Sequence, residues 1–337
     1  MGEAGVVVCF GEMLLRLSAP GGGTLLQGAR LDAHIGGAEA NVAVALARIG
    51  VPSRLVTALP DDALGDVAVE TVRASGVDVS HVLRGSGRLG LYYLTPGAGV
   101  RASTIIYDRI DSLFARMPSA AYDWPALLEG ASWLHLSGII PAIGPETARL
   151  SLDAMNAARA LGVKISFDGN FRASMWARWC GDPAPILIEH VEKADLLFGN
   201  HRDISLLLGK DLGGESAGER WGAAMAAFER FPTLSTIAST ARTVLSGDHH
   251  LLSARVDHWE QGFETEAVDL AGIVDRIGTG DAFAAGVLAG IDHSFEEAAL
   301  TGLKLAALKH ATPGDQSRTT RRDLDAFELN GGLDVRR

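Results

Sequence analysis

A short stretch near the end of the chain combines glycines with an acidic residue and could hold an anion beside a base. Residues 275–281 read Asp-Arg-Ile-Gly-Thr-Gly-Asp and follow an apolar run, residues 267–274, that favours a strand. A small-residue helix is predicted to begin there, and the free N–H groups of a helix start bind anions. Gly278 and Gly280 let a ligand approach the backbone closely. Asp281 would lie beside that anion, an arrangement suited to moving a phosphoryl group onto a hydroxyl.

The same turn also has a purely structural explanation, because Asp is favourable in the first turn of any helix. Two better-known nucleotide motifs are excluded. The pattern Gly-x-x-x-x-Gly-Lys-Ser/Thr does not occur in the chain. A dinucleotide fingerprint would need a third glycine and a position in the first βαβ unit, which argues against a nicotinamide-dependent oxidoreductase.

Composition narrows the class of protein. The 337 residues are 47% apolar and 21% charged, as in a globular protein with a sizeable core. The net charge of −11 argues against nucleic acid or an anionic membrane as a partner. The two cysteines, Cys9 and Cys180, are too few for a disulfide framework, and no eighteen-residue apolar run or basic leader occurs. We therefore expect a cytoplasmic protein.

The elements that must position the acid alternate between strand and helix along most of the chain. Apolar runs separated by helical patterns predict a mostly parallel sheet that is covered by helices on both faces. Two segments, residues 13–35 and 88–109, break this rhythm with short alternating pieces typical of hairpins. We interpret them as one small β-sheet lid on a single three-layer α/β/α domain spanning residues 1–337.

Polar side chains follow the predicted strands. Ligands of open α/β sheets bind beyond the carboxyl ends of the strands, although polar residues are common in any loop. The residues at these ends are Glu12, Asp168, Asn170, Arg172, Asn200, Asp203, Ser239, Thr240 and Arg242.

Two arginines bear on the charge of the ligand. Arg109 follows the second lid segment and Arg172 follows a central strand. A guanidinium matches a carboxylate or a phosphate through two parallel hydrogen bonds, whereas a neutral sugar needs no guanidinium.

The adjacent pair His249 and His250 would face opposite ways on a strand and cannot easily share a metal ion. We therefore interpret both histidines as surface residues.

Two glycine motifs together resemble the signatures of the ribokinase-like (PfkB) carbohydrate kinases. Residues 36–41 read Gly-Gly-Ala-Glu-Ala-Asn, and residues 275–286 contain the turn described above. Three further stretches are most similar to 2-keto-3-deoxygluconate kinases. They are Tyr92 with Tyr107-Asp108-Arg109, Phe-Asp-Gly-Asn-Phe-Arg at 167–172, and Lys-His-Ala-Thr-Pro-Gly-Asp at 309–315.

The resemblance implies a ribokinase-like fold and a role for each matching residue. Asp281 would be the catalytic base, and the amides of Gly278, Thr279 and Gly280 would form an anion hole. The residues implied to bind substrate are Gly36, Gly37, Asn41, Tyr92, Tyr107, Arg109, Arg172 and Asp315. Those implied to bind ATP are Asn170, Asn200, Gly278 and Gly280. We also expect Ser239, Thr240 and Arg242 to bind ATP, although they stand where the chain departs from the family. Asp203 would organise Mg²⁺ through water.

The chain departs from the family pattern in three places. Relatives usually read Asp-Thr-Thr-Gly-Ala-Gly-Asp at the second motif, whereas Arg276, Ile277 and Thr279 stand here. Asp203 replaces a longer glutamate. Residues 238–243 contain no glycine where relatives line the ATP phosphates with glycines, so we expect polar side chains to bind the phosphates instead.

The sequence therefore predicts ATP-dependent phosphorylation of the primary hydroxyl of a keto-deoxy sugar acid. The predicted reaction converts 2-keto-3-deoxygluconate into its 6-phosphate, with ATP and Mg²⁺ as cofactors. The gluconate- and galactonate-derived epimers stay open, as does a role for a monovalent cation. Two alternatives remain: a kinase for a neutral ketose or nucleoside, and a non-catalytic sugar-acid sensor. Because exposed sheet edges need covering, we expect a homodimer through the lid, or a higher homo-oligomer.

Overall fold

Three β-sheets, of nine, four and two strands, lie within residues 5–329, the part of the chain that this computed structural model describes. The strands are β1 (Val6–Phe10), β2 (Leu14–Ser18), β3 (Asp32–Gly36), β4 (Ser53–Val56), β5 (Ala58–Pro60), β6 (Leu83–Gly85), β7 (Gly90–Thr95), β8 (Thr104–Asp108), β9 (Ala131–Ser137), β10 (Lys164–Asp168), β11 (Leu196–Phe198), β12 (Thr236–Ser246), β13 (His249–His258), β14 (Gly262–Glu264) and β15 (Val268–Ala271). The helices are α1 (Ala38–Arg48), α2 (Ala63–Arg73), α3 (Leu113–Arg116), α4 (Trp124–Leu127), α5 (Ile139–Ile143), α6 (Pro145–Ala160), α7 (Ala173–Trp176), α8 (Ala184–Val191), α9 (His201–Leu208), α10 (Ala217–Arg230), α11 (Thr279–Gly290), α12 (Phe295–His310) and α13 (Arg321–Asp325).

The large sheet has the order β14-β13-β12-β11-β10-β9-β1-β4, with β15 paired to β13. It is parallel from β12 to β4 and antiparallel at the β12–β13–β14 end. Helices α1, α2, α11 and α12 pack on one face, and α6, α8, α9 and α10 pack on the other. Strands β1 and β11 are apolar along their whole length, as expected for strands that are buried on both faces. The predicted three-layer α/β/α class is confirmed.

The small sheet has the order β3-β2-β7-β8 and is built from the two segments that break the strand–helix rhythm. Strands β2 and β7 are parallel, with Arg16 opposite Tyr92, and β7 and β8 are antiparallel, with Tyr92 opposite Tyr107. Opposite residues of neighbouring strands share a face of a sheet. Arg16, Tyr92 and Tyr107 therefore project from the same side.

The strand predicted at Ser239 and Thr240 is longer than the sequence indicated. Strand β12 continues to Ser246 because it forms an antiparallel hairpin with β13, in which Thr243 pairs with Leu251. The prediction that both histidines are surface residues is wrong for His250. Its side chain is buried, with its ring centroid 6.4 Å from that of His310, while His249 Nε2 lies 2.6 Å from Asp269 Oδ1.

The glycine-containing turn before Asp281 is separated from its preceding strand by a loop. The strand predicted over residues 267–274 is shorter, since β15 ends at Ala271 and α11 begins at Thr279. Backbone hydrogen bonds from the N–H groups of Val274 and Asp275 to the carbonyl of His310 fix this loop against the end of α12. No helix within residues 5–329 is long and apolar enough to span a bilayer.

Candidate active site

A cavity of 560 Å³ lies among the carboxyl ends of the central strands, the start of α1, the start of α11 and the small sheet. Its volume is within the range of about 300–1,000 Å³ that is usual for small-molecule sites. Most of the residues predicted to form a site line it. They are Gly37, Asn41, Tyr92, Tyr107, Arg109, Asn170, Arg172, Asn200, Asp203, Ser239, Thr240, Gly278, Thr279, Gly280, Asp281 and Asp315.

Two of the predicted site residues do not line this cavity. Gly36 lies behind it, and a Cβ atom there would collide with the carboxylate of Asp315. Glycine at this position therefore makes room for that carboxylate rather than for a ligand. Arg242 is exposed further along the β12 hairpin, beyond Ser239 and Thr240, which do line the cavity.

The turn before α11 has the geometry of an anion site. Gly278 adopts φ 82° and ψ 2°, a left-handed conformation that favours glycine. A side chain there would also collide with the backbone carbonyl of Asp315. The first N–H groups of this 12-residue helix have no intrahelical acceptor, and residues 278–281 border the cavity. The helix start can therefore hold an anion inside the cavity.

Asp281 stands in the first turn of α11, and its carboxylate accepts a hydrogen bond from Asn41 on α1. Asn41 Nδ2 lies 2.7 Å from Asp281 Oδ2. Burial raises the pKa of Asp281 to about 7, and the nearby acids Glu39 and Asp315 act in the same direction, against the hydrogen bond from Asn41. A carboxylate with a pKa near neutrality can accept a proton efficiently at physiological pH.

Two further acids border the cavity beside Asp281. Burial, together with Asp281 and Asp203, raises the pKa of Asp168 to about 7. Asp203 caps α9, where its Oδ2 accepts the N–H of Asn200 at 2.8 Å, and burial raises its pKa. Within residues 5–329, no three His, Cys, Asp or Glu side chains are grouped closely enough to hold a metal ion directly. Carboxylates that border a cavity are the type of ligand that Mg²⁺ takes when it keeps several of its waters.

The two arginines predicted to recognise an anion have different surroundings. Arg109 is buried, and its Nε and Nη2 lie 2.6 and 2.5 Å from Glu12 Oε2. Arg172 is exposed at the cavity, donates from Nη1 to the carbonyl of Phe171 at 3.0 Å, and makes no ion pair with any residue between 5 and 329. Arg172 thus presents its charge to the cavity, where it acts on the nearby carboxylates of Asp168, Asp203 and Asp281. Glu12 orients and partly neutralises Arg109.

Sequence analysis did not identify Arg16, which connects several residues of the site. Arg16 Nη1 lies 2.8 Å from Asp275 Oδ2 and 3.0 Å from Asp315 Oδ1. The hydroxyl of Tyr92 donates to Asp315 Oδ2. The alternation of β2 could have identified Arg16. Arg16 is two residues from the apolar Leu14, so both side chains lie on the inward face of the strand.

Three other polar residues of the site received no role from the sequence. Arg202 and Arg276 border the cavity, and Arg276 is one of the residues that depart from the family pattern. Glu39 is fully buried on α1 and accepts a hydrogen bond from Ser137 Oγ at 2.5 Å. Burial raises the pKa of Glu39 to about 7.

Comparison with known proteins gives concordant results. The model of the pfkB family of carbohydrate kinases matches residues 5–321. The 2-dehydro-3-deoxygalactonokinase of Haloferax volcanii is 30% identical, over 97% of each chain, and the 2-dehydro-3-deoxygluconokinase of Bacillus subtilis is 29% identical, over 95% of this chain and 94% of its own. The crystal structure of 2-dehydro-3-deoxygluconokinase from Thermotoga maritima superposes with a TM-score of 0.91 at 33% identity, covering 96% of this chain and 98% of that one.

Proposed function

The chain belongs to the PfkB family of carbohydrate kinases and is an ATP-dependent sugar kinase, and we propose that its acceptor is a keto-deoxy sugar acid. The proposed reaction transfers the γ-phosphoryl group of ATP to the primary hydroxyl of 2-keto-3-deoxygluconate or its galactonate-derived epimer. Two similar proteins, one of each name, support this substrate class. The non-catalytic sensor considered above is set aside because the chain is a kinase.

The observation that carries the proposal is the position of Asp281 at the start of α11. Its carboxylate borders the same cavity as the N–H groups of Gly278, Thr279 and Gly280. In the proposed mechanism Asp281 takes the proton of the attacking hydroxyl, which contributes about 10²–10⁴ in rate. The N–H groups stabilise the negative charge on the transferring phosphoryl group.

The sugar acid would occupy the part of the cavity between α1 and the small sheet. Gly37 and Asn41 border this part from α1, and Tyr92 and Tyr107 border it from the small sheet. We assign the carboxylate of the sugar acid mainly to Arg172, because its guanidinium is exposed at the cavity and forms no ion pair with an acid within residues 5–329. Arg109 would add a second contact from the Nη1 group, which does not face Glu12.

The nucleotide would occupy the part of the cavity bordered by the central strand ends. Asn170, Asn200, Ser239 and Thr240 offer side-chain hydrogen bonds to its phosphates. Arg242 lies just beyond them. Partial burial of its guanidinium lowers the pKa of Arg242, and the nearby positive charge of Arg276 lowers it further. We assign Arg242 to the phosphates of bound ATP. Asp168 and Asp203 would hold Mg²⁺ through water, and this ion would supply charge neutralisation at the phosphates.

The proposal includes a homodimer formed through the small sheet, which would act as a lid. Leu17, Tyr93 and Ile106 are cross-strand neighbours on the face opposite to Arg16, Tyr92 and Tyr107. Ile106 is 55% exposed, so this outer face carries apolar surface that a second copy could cover. We also place the protein in the cytoplasm, since the reaction consumes ATP and both cysteines are free thiols.

One observation favours a second candidate, a kinase for a neutral ketose. The ion pair between Arg109 and Glu12 neutralises one of the two arginines on which recognition of an acid depends. Of these two arginines, Arg172 then remains to distinguish a sugar acid from a neutral sugar by charge.

A coupled ATP-consumption assay over keto-deoxy sugar acids, ketoses and nucleosides tests the proposal. We expect turnover with the keto-deoxy sugar acids and a product phosphorylated at C6, identified by ³¹P and ¹³C NMR. Faster turnover with fructose or a nucleoside than with every sugar acid would reject the proposed substrate while leaving the kinase activity intact.

A further inference from the structure

Arg16 brings a buried positive charge to the base of the anion-binding turn. The residue belongs to β2 of the small sheet and is 4% exposed. Its Nη1 group lies between Asp275 Oδ2 at 2.8 Å and Asp315 Oδ1 at 3.0 Å. Asp275 begins the loop that leads into the turn, and Asp315 provides the carbonyl against which Gly278 packs. One guanidinium therefore connects the two segments between which the turn is held.

Asp275 connects Arg16 to the backbone of the turn. Its Oδ1 accepts the N–H of Ile277 at 3.0 Å, and its Oδ2 accepts the N–H of Gly314 at 3.0 Å. Ile277 directly precedes Gly278, whose left-handed conformation directs the first N–H groups of α11 into the cavity. A change in the position of the Asp275 carboxylate would consequently move these donors.

The two carboxylates beside Arg16 already accept hydrogen bonds from protein donors at all four oxygens. Both oxygens of Asp275 already accept a backbone N–H, and Oδ2 also faces Arg16. Both oxygens of Asp315 are engaged as well, one by Arg16 and one by Tyr92. Lys309 adds a second buried cation nearby, with Nζ donating to the carbonyl of Thr312 at 3.0 Å. An ion bound between Asp275 Oδ2 and Asp315 Oδ1 would have to displace Arg16 from these two partners.

We propose that Arg16 is a positioning residue that fixes the anion-binding turn, and that its built-in charge makes phosphoryl transfer by this chain independent of monovalent cations. The proposal rests on the kinase function described above. Because Arg16 and Tyr92 both belong to the small sheet, the same contacts also tie that sheet to the turn.

The test is a titration with monovalent cations in a buffer whose only other cations are Mg²⁺ and choline. Initial rates are measured for wild type, Arg16→Gln and Arg16→Lys as KCl replaces choline chloride at constant ionic strength. We expect the wild-type kcat to change less than about twofold, whereas kcat of Arg16→Gln falls by about 10²-fold, the loss expected when catalytic groups are misplaced by about 1 Å. Added K⁺ or guanidinium should restore part of that activity, and Arg16→Lys should retain more activity than Arg16→Gln.

A second readout does not depend on turnover. The thermal stabilisation of the wild-type protein by a non-hydrolysable ATP analogue with Mg²⁺ should be the same in KCl and in choline chloride. Arg30→Gln is the matched control, since Arg30 is exposed and its ion-pair partner among residues 5–329 is the nearby Asp32. If Arg16→Gln fails to fold, Arg16→Lys and the wild-type titration still decide the question.

Several results would overturn the inference. One is a severalfold activation of the wild-type protein by K⁺. Another is a kcat of Arg16→Gln that equals the kcat of the wild-type protein. Turnover that requires K⁺ would reject this inference alone, whereas absence of turnover with every acceptor in every buffer would count against the proposed function.

Discussion

Asn41 Nδ2 donates to Asp281 Oδ2 at 2.7 Å, so the two glycine motifs, 240 residues apart in the chain, meet in one hydrogen bond. The contact joins the first turn of α1 to the first turn of α11. It favours the charged form of Asp281, while burial favours the neutral form more strongly. The balance leaves a carboxylate with a pKa close to neutrality beside a helix start that can bind an anion.

Replacing the proposed base should abolish most activity without weakening the fold. For Asp281→Asn we expect kcat to fall by about 10²–10⁴-fold, with little change in the Kd of the sugar acid. Rapid-mix single-turnover assays and calorimetric titration measure the two quantities. A variant that retains near-wild-type kcat would contradict the role of Asp281.

The same variant should be more stable than wild type above neutral pH. The pKa of Asp281 is about 7 in the folded state and near the ordinary value of about 4 in the unfolded state. Between these values the folded state binds a proton that the unfolded state does not, so the free energy of unfolding falls as pH rises from about 4 to 7. The asparagine of the variant does not bind a proton in this pH range. We expect the Tm of Asp281→Asn to exceed that of wild type at pH 8, and the difference to shrink at pH 5.

The pH dependence of catalysis should reveal the raised pKa. Because the base must be deprotonated, kcat/KM should fall as pH drops below about 7 and reach a plateau above it. The pKa values of Asp168 and Glu39 are also raised to about 7. The acidic limb of the pH profile therefore reports the coupled titration of these acids with Asp281.

Asn41→Ala should move that acidic limb to higher pH, because it removes a hydrogen bond that favours the carboxylate. Asn156→Ala, at an exposed position of α6, is the matched control. A wild-type limb centred below pH 5, or an unchanged limb in Asn41→Ala, would show that Asp281 does not control the profile.

Arg172 should determine the selectivity for an acid. A hydrogen bond to a charged group contributes about 1.5–3 kcal/mol, so Arg172→Ala should raise the KM for the sugar acid by about 10–100-fold. The KM for a neutral ketose should change little. Arg149→Ala on the exposed face of α6 controls for the loss of one positive charge. Equal effects on both substrates would assign Arg172 to another part of the reaction, such as the phosphates.

Two glycines of the turn should respond differently to the same substitution. Gly278→Ala places a side chain at φ 82° and against the carbonyl of Asp315, whereas a Cβ at Gly280 meets no atom within 4 Å. We expect Gly278→Ala to lower the free energy of unfolding by at least about 1–3 kcal/mol and to lose most activity. Gly280→Ala should fold normally, as denaturant titration would show. Comparable stabilities of the two variants would contradict the described turn.

Local patterns predicted the fold because strand and helix periods are encoded in neighbouring residues. The alternation of apolar runs and helical patterns was sufficient for the three-layer class, and the two hairpin segments were sufficient for the strands of the small sheet. The boundaries of β12 were missed because a hairpin extends by pairing with β13, which residues 236–239 do not reveal.

The polar partnerships of the site were not predictable in the same way. Arg16 meets Asp315 across 299 residues, and Arg109 meets Glu12 across 97 residues. Such ion pairs depend on the assembled fold and leave no periodic signal in the sequence. The position of Gly36 behind Asp315 and the burial of His250 against His310 have the same origin.

The most direct test of the central claim compares a sugar acid with its own neutral analogue. The measurement is kcat/KM of the wild-type protein, with ATP and Mg²⁺, for 2-keto-3-deoxygluconate and for the same sugar with its carboxylate reduced to an alcohol. We predict a kcat/KM at least about 10-fold higher for the acid, corresponding to one charge-assisted hydrogen bond of about 1.5 kcal/mol or more, and loss of that preference in Arg172→Ala. Equal or higher kcat/KM for the neutral analogue would contradict the assignment of this chain as a sugar-acid kinase.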